Sequence, residues 1–415
     1  MRNGLEILCT ISRSLKDVWL SASKHFPVLL LTGSRQVGKT TFLKHICPAG
    51  RTYVTLDDPS TRALAQEDGG LFMKRFTPPI LIDEIQYAPN LLPYIKMEAD
   101  SSSKKGQFWL TGSQQFLMMK GISETLAGRV AILNLLGFSQ REKERSNLDI
   151  EPFISGKKNL TARLSFAKKP SLKKMYKNIW LGSFPALIAG AAKNRELYYS
   201  SYLQTYLQRD VRDLAQVGNE RAFIRFIRAC AARTGQLLNL TDLAKDTDIS
   251  IPTAKNWLSI LMASFQIFLL QPYHNNITKR LIKTPKLYFL DTGLCSYLTE
   301  WNSPQTLEAG AMSGAIFETW VFSEILKSYW HRGLEPLIYY YRDKDKKEID
   351  FIIEANQKLY PIEVKKSTTV KKEWGREFSV LSKFKKGTGK GIVICMAEEM
   401  LPLDDKNDAV PVTIL

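Results

Sequence analysis

Cysteine is scarce and scattered. The five residues Cys9, Cys47, Cys230, Cys295 and Cys395 stand singly, odd in number and never in C-x-x-C spacing. That pattern argues against a disulfide framework and a structural zinc site and points to a reducing compartment. No apolar run approaches the roughly 20 residues that cross a bilayer. The N-terminus has no long apolar core followed by a small-residue cleavage site. A cytoplasmic molecule with no membrane span is expected. Acidic residues are also in deficit, with 41 Asp+Glu against 58 Lys+Arg and a net charge of +17. An excess of that sign favours a polyanionic partner, nucleic acid ahead of an anionic membrane. Hydrophobic residues make up 44% of the 415, enough for full cores, so a mostly disordered chain is excluded. The length accommodates two to four domains at roughly 100–200 residues each.

The chain is organised around Val28-Leu29-Leu30-Leu31-Thr32-Gly33-Ser34-Arg35-Gln36-Val37-Gly38-Lys39-Thr40-Thr41. An aliphatic run reads as a buried strand, Gly33 to Thr40 fits G-x-x-x-x-G-K-[ST], and Phe42–Ile46 continues as a helix. That strand–loop–helix context is what a phosphate-binding loop needs. Gly33 and Gly38 let the backbone curl so that N–H groups point inward at phosphate oxygens. The helix start near Lys39 adds its positive dipole end. Lys39 is expected at the β- and γ-phosphates of ATP, and the Thr40 hydroxyl on Mg²⁺. Gly33, Ser34, Arg35, Gln36, Val37, Gly38, Lys39, Thr40 and Thr41 form the expected nucleotide cradle.

Further short β-rich runs follow at Thr52–Leu56, Ile80–Ile82 and Gln107–Thr111, alternating with helical stretches, which indicates a parallel sheet with its active edge at the strands' C-terminal ends. Asp83 and Glu84 close the second of these runs. Asp83 is expected to hold the Mg²⁺ hydration shell and Glu84 to orient the attacking water. Ser113, with Gln114 beside it, is a candidate γ-phosphate contact. Arg129, in Leu126-Ala127-Gly128-Arg129, is a candidate for stabilising phosphate charge in cis or across the boundary of a homo-oligomer. Arg209 and Arg212 lie three apart on one helical face and read as a surface charge network. Arg141–Lys177 is lysine-rich and weakly periodic, and is expected to be a mobile connector with short helices.

Gly33–Thr41, Leu56-Asp57-Asp58-Pro59, Leu81-Ile82-Asp83-Glu84-Ile85-Gln86, Leu110-Thr111-Gly112-Ser113-Gln114 and Leu126–Arg129 run in the order found in prokaryotic AAA-superfamily ATPases with a C-terminal DUF4143 region. Trp180-Leu181-Gly182-Ser183-Phe184-Pro185 and Tyr202–Asp210 resemble later blocks of that family. The resemblance covers nearly the whole chain. It implies a multidomain α/β protein: a P-loop, AAA-type parallel sheet with helices, a winged-helix-like middle, and an α/β restriction-endonuclease-like C-terminal domain. The expected boundaries are 1–140 for the ATPase core, 141–219 for the basic connector and helical region, 220–302 for the middle and 303–415 for the last domain.

In the middle region, Thr241–Asp246 reads as a short helix with Thr241 as its cap, Asp248-Ile249-Ser250 as a turn, and Pro252 to about Leu270 as a longer helix, the layout of a helix-turn-helix. Thr253, Lys255 and Asn256 would face duplex DNA, with Lys279, Arg280, Lys283 and Lys286 forming a basic wing on its backbone. Near the C-terminus, a two-residue turn at Asn356-Gln357 makes residues pair where their numbers sum to 713. Asp350 then faces Glu363, with Lys365 two residues on along the same strand. Two carboxylates and a lysine so placed match a PD-(D/E)xK nuclease: Asp350 and Glu363 on Mg²⁺, Lys365 steadying charge or activating water, and Glu318 on the preceding helix as a further acidic group. The rival reading is a nucleotide-dependent switch or scaffold whose nuclease fold is silent and binds a protein partner.

Overall fold

The aliphatic run Val28–Thr32 forms β1, and all five residues are buried, as a strand covered on both faces requires. In this computed structural model, which describes residues 11–112, 125–146, 149–206, 220–274 and 284–415, β1 is flanked by four further strands. These are β2 (Thr52–Thr55), β3 (Ile80–Asp83), β4 (Phe108–Thr111) and β5 (Val130–Asn134). Their order is β2-β3-β4-β1-β5 and every pairing is parallel. Alternation along β1 divides the core. Leu29 and Leu31 pack with Trp19, Trp109 and Leu133 on one face, while Val28 and Leu30 pack with Ile80, Ile82, Phe108 and Leu110 on the other. Because all strands run the same way, Thr32, Asp83 and Thr111 emerge at one edge.

The second sheet is small and antiparallel: β6 (Gln236–Leu237), β7 (Ile267–Leu270) and β8 (Lys286–Phe289) in the order β6-β8-β7. Helices Glu220–Ala231, Leu240–Thr247 and Ile251–Ala263 accompany it. The cap of the second helix is Asn239, whose side chain accepts from Thr241 N and Asp242 N, rather than Thr241. The third helix ends at Ala263, short of the expected Leu270. Phe265 takes φ 58° and Gln266 N donates to Leu261 O at 2.8 Å, closing the helix six residues to one. The apolar residues beyond are therefore the strand β7. A continuous apolar run carries no period to separate the two elements.

The third sheet comprises β9 (Ile338–Arg342), β10 (Glu348–Ala355), β11 (Lys358–Lys365), β12 (Gly387–Thr388), β13 (Gly391–Cys395), β14 (Leu401–Pro402) and β15 (Asn407–Pro411). Its order is β14-β15-β13-β11-β10-β9, with β12 on β11. β10 and β11 pair as Phe351↔Ile362 through Ala355↔Lys358, the expected sum-of-713 register. Asn356 and Gln357 both take positive φ, 49° and 60°, which is the twist a two-residue hairpin turn needs. Helix Ser313–Trp330 covers this sheet with a largely apolar face.

Arg141–Lys177, expected to be a mobile connector with short helices, carries helices Lys157–Leu164 and Leu172–Leu181 and is anchored at several buried residues, while most of its lysines are exposed. Phe153 and Arg163 are buried. Arg163 donates to Glu151 O at 2.7 Å and Ile414 O at 3.2 Å, and Arg141 donates to Ile414 O at 2.7 Å. Two of its arginines thus satisfy a backbone carbonyl of the C-terminal unit.

Candidate functional site

The loop after β1 turns because Gly33 has φ 148° and Gly38 φ 88°. A Cβ on Gly33 would lie 2.0 Å from Leu135 O, so the chain leaving β5 leaves room for glycine alone. Helix Lys39–Ile46 starts directly after Gly38 and aims its free N–H groups at the loop. Lys39 Nζ donates to Gly33 O and Ser34 O, both at 2.9 Å, which holds the ammonium over the loop mouth. Thr40 Oγ1 donates to Asp83 Oδ1 at 2.8 Å. Asp83 is also held by Thr111 Oγ1 and by Tyr53 Oη, the latter at 3.1 Å. Glu84 N donates to the same Thr111 hydroxyl at 3.0 Å. Glu84 itself takes φ 59°, a left-handed conformation that turns the chain sharply at the strand end.

These groups open onto a cavity of about 670 Å³ lined by Arg35, Gln36, Gly38, Lys39, Thr40, Thr41 and Glu84. Its opposite wall is Pro185, Ala186 and Thr205. The Gly182–Pro185 block thus acts as a roof. Ser183 N and Oγ both donate to Asp291 Oδ2 at 2.7 Å, and Tyr199 Oη donates to Asp291 Oδ1 at 3.1 Å. Asp291 follows β8 by two residues, so the roof hangs from the small sheet.

The loop fits a nucleoside triphosphate: the amides, the ammonium and the helix end all favour phosphate. The Thr40 hydroxyl and the Asp83 carboxylate, adjacent and oxygen-bearing, suit a Mg²⁺ with its water shell.

The C-terminal candidates also converge. Beyond Phe351↔Ile362 the next residues outward are Asp350 and Glu363. Asp350 Oδ2 accepts from Val364 N at 2.8 Å, and Lys365 Nζ lies 2.6 Å from Glu363 Oε1. The β9–β10 register slips between Ile349 and Ile352, a bulge that contains Asp350. Burial raises Glu363 to about 8, helped by Asp350 and opposed by Lys365. Burial likewise raises Glu318 to about 7, with Asp350 adding to it. Asp350 is raised by burial, against the pull of Lys286.

The unexpected member is Lys286. Its ammonium sits 3.3 Å from Glu318 Oε1 and 3.8 Å from Asp350 Oδ1, and it pairs with Glu348 at 2.5 Å. Tyr288 Oη also donates to Glu318. Lys286 is buried, so its place in an exposed basic wing is corrected: it opens β8 and points into the carboxylates. Burial works against its charge, but Glu318, Asp350 and Glu348 outweigh it and its pKa is raised. A lysine beginning an otherwise apolar strand, and the Glu348-x-Asp350 spacing, were the available signals. Among the described residues no three Asp, Glu, His or Cys side chains form a metal-holding group. Of the expected Mg²⁺ pair, Asp350 lies 3.8 Å from the Lys286 ammonium and Glu363 is paired with Lys365.

Arg129 is corrected for its role in cis. It precedes β5, whose Val130 is level with Val28 and whose Asn134 is level with Thr32. The phosphate loop leaves the other end of the sheet, about 15 Å away at roughly 3.3 Å per residue. Arg129 is instead paired with Asp100 at the end of helix Leu92–Ser101. Ser113, Gln114, Arg209, Arg212, Lys279, Arg280 and Lys283 lie outside the described residues. Lys255 and Asn256 are exposed on helix Ile251–Ala263 and Thr253 is half-buried.

Comparison with known proteins gives three consecutive family matches: an AAA domain over residues 25–144, a domain of unknown function (DUF8612) over 172–305, and another (DUF4143) over 313–415. An uncharacterised protein of Mycobacterium tuberculosis, and one of Mycobacterium bovis, are each 29% identical over 349 residues, covering 83% of this chain and 71% of theirs. Among solved structures, a Walker-type ATPase of Pyrococcus abyssi aligns over 68% of this chain and 94% of its own, at 16% identity and a TM-score of 0.43. No helix among the described residues is long and apolar enough to cross a membrane. The phosphate loop, the Asp83-Glu84 strand end and the matched models agree: this chain carries an AAA-type P-loop ATPase domain and a C-terminal DUF4143 region.

Proposed function

We propose that the chain couples ATP hydrolysis to work on nucleic acid, duplex DNA by preference, through a C-terminal site built to cleave phosphodiesters with a divalent metal. The observation that carries this reading is the hairpin geometry: Asp350 and Glu363 adjacent, Lys365 on Glu363, and Glu318 buried beside them. In the ATPase, Lys39 and the loop amides hold the β- and γ-phosphates, Thr40 and Asp83 hold Mg²⁺, and Glu84 orients water. The metal neutralises developing phosphate charge when bound. Arg129 remains available only to a neighbouring subunit. In the C-terminal site Asp350 and Glu363 would hold the metal, with Lys365, beside Glu363, placed to steady charge on a bound phosphate.

The helices and small sheet of residues 220–302 supply the duplex contact in this reading, with Lys255 and Asn256 exposed on the second helix of the pair and Lys279, Arg280 and Lys283 as the basic residues expected to meet phosphate. The +17 net charge supports it. Binding should weaken steeply with salt, and replacing Lys279, Arg280 and Lys283 by Ala should reduce the slope by roughly 0.9 for each phosphate no longer neutralised. β8 gives the two sites a common element, since Lys286 begins it and Asp291 follows it.

The decisive experiment is nicking of supercoiled plasmid with Mg²⁺ or Mn²⁺, with and without ATP, by wild type and Asp350→Ala. Cleavage lost in Asp350→Ala supports the reading. Lys286 among the carboxylates favours a second one, in which the nuclease fold is silent and the chain is a nucleotide-dependent switch on a protein partner. Persistent failure to nick, alongside normal ATP hydrolysis, would select it.

A further inference from the structure

We propose that Lys286 is a built-in cation that occupies the divalent-metal position of the C-terminal carboxylate site, so that metal enters only when this ammonium withdraws. The inference rests on the metal-site reading above and adds the group that controls it.

The geometry is specific. Lys286 reaches the site from a different sheet, at the first residue of β8, and its ammonium contacts Glu318, Glu348 and Asp350 together. At Asp350, the carboxylate the metal reading needs first, the ammonium already supplies the positive charge that a divalent ion would bring. Its side chain is 3% exposed, so the charge has no solvent to fall back on. The charge balance leaves room for a stronger cation. Four carboxyl groups, Glu318, Glu348, Asp350 and Glu363, face the ammoniums of Lys286 and Lys365, while Arg342 meets Glu348 from the more exposed side at 3.1 Å. A divalent ion would have to displace the ammonium. The carboxylates cannot be saturated by Lys286 and by a metal at the same point, since both are cations and the site is dry. Tyr288 Oη on Glu318 holds that carboxylate in place from the same strand, so β8 both positions and neutralises the site.

Binding of Mn²⁺ alone, measured by electron paramagnetic resonance on the full chain with Asp83→Asn present throughout to remove the carboxylate of the nucleotide site, tests this. Apparent affinity is reduced by the fraction of molecules whose site is open, so Lys286→Met should tighten Mn²⁺ binding by about tenfold or more. Lys286→Arg should stay as weak as the parent, because it keeps the charge. Adding Asp350→Asn to Lys286→Met should remove the gain. Parent binding as tight as that of Lys286→Met, and abolished by Asp350→Asn, leaves the metal site standing and overturns Lys286 as its occupant. No Mn²⁺ at this site in any variant, or Mn²⁺ that persists with Asp350→Asn, overturns the metal reading and the proposal with it. Should Lys286→Met fail to fold, Lys286→Gln, one atom shorter than lysine, keeps hydrogen-bond donors without the charge and carries the same expectations.

Discussion

Asp83 and Asp350 each sit at a strand end, buried, at a place where a cation is expected, yet their surroundings differ in kind. Asp83 is ringed by neutral hydroxyls from Thr40, Thr111 and Tyr53. Asp350 faces an ammonium, a backbone N–H and other carboxyls. Hydroxyls orient a carboxylate without cancelling its charge, so a hydrated ion gains the full attraction on arrival. An ammonium has already taken that attraction, and a metal must displace it. On the proposed reading, the nucleotide site is the ready one and the C-terminal site the guarded one.

The sharpest way to break the comparison lies in the ready site. Glu84→Gln should keep ATP binding but lower turnover by roughly 10²–10⁴-fold, the usual contribution of a positioned base. Lys39→Ala should lose binding itself. Fluorescent-nucleotide titration beside a phosphate-release assay separates the two, and undiminished turnover in Glu84→Gln would remove that residue from the water-positioning role. Next in size is the guarded site. Lys286→Ala leaves buried carboxylates without their partner, which costs about 3–5 kcal/mol of stability. Chemical denaturation reads this, and added Mn²⁺ should restore part of the stability.

A smaller effect separates the sites by pH. Glu318 and Glu363 titrate in the folded protein near 7 and 8, above their ordinary value. A folded state that holds protons more tightly than the unfolded chain is favoured at low pH. Their contribution is thus full below about 4.5 and is lost as pH rises to about 8. Melting temperature of the C-terminal unit should fall across that window, and Glu363→Gln should flatten the decline. A melting temperature that rises from pH 5 to 8 equally in wild type and Glu363→Gln would contradict the assignment. Thr111→Val removes the donor to Asp83 and the acceptor for Glu84 N, and should cost about 1–3 kcal/mol together with some turnover. Smallest of all is Arg129→Ala. Hydrolysis by dilute protein should be unchanged, and a defect that grows with protein concentration would identify Arg129 as a donor to a neighbouring subunit.

Much of this molecule is legible in its residues taken one segment at a time. The phosphate loop, the Asp83-Glu84 strand end and the β10–β11 register follow from local rules, because a glycine-bearing turn, an apolar run and a two-residue hairpin each fix the backbone within a few residues. The short strand β7 was not legible, because an unbroken apolar run has no period and only the left-handed turn at Phe265 ends the helix. Charge was the least legible feature. Lys286 and Arg163 look like solvent-facing cations in sequence, and only the place of Lys286 at the head of an apolar strand sets it apart from Lys255. Their partners, Glu318, Glu348 and Asp350 for the first and the Ile414 carbonyl for the second, lie from 32 to 251 residues away. Sequence determines which side chains carry charge; only tertiary packing decides which of those charges leave water and what they meet, because burial makes a partner obligatory and the partner can come from anywhere in the chain.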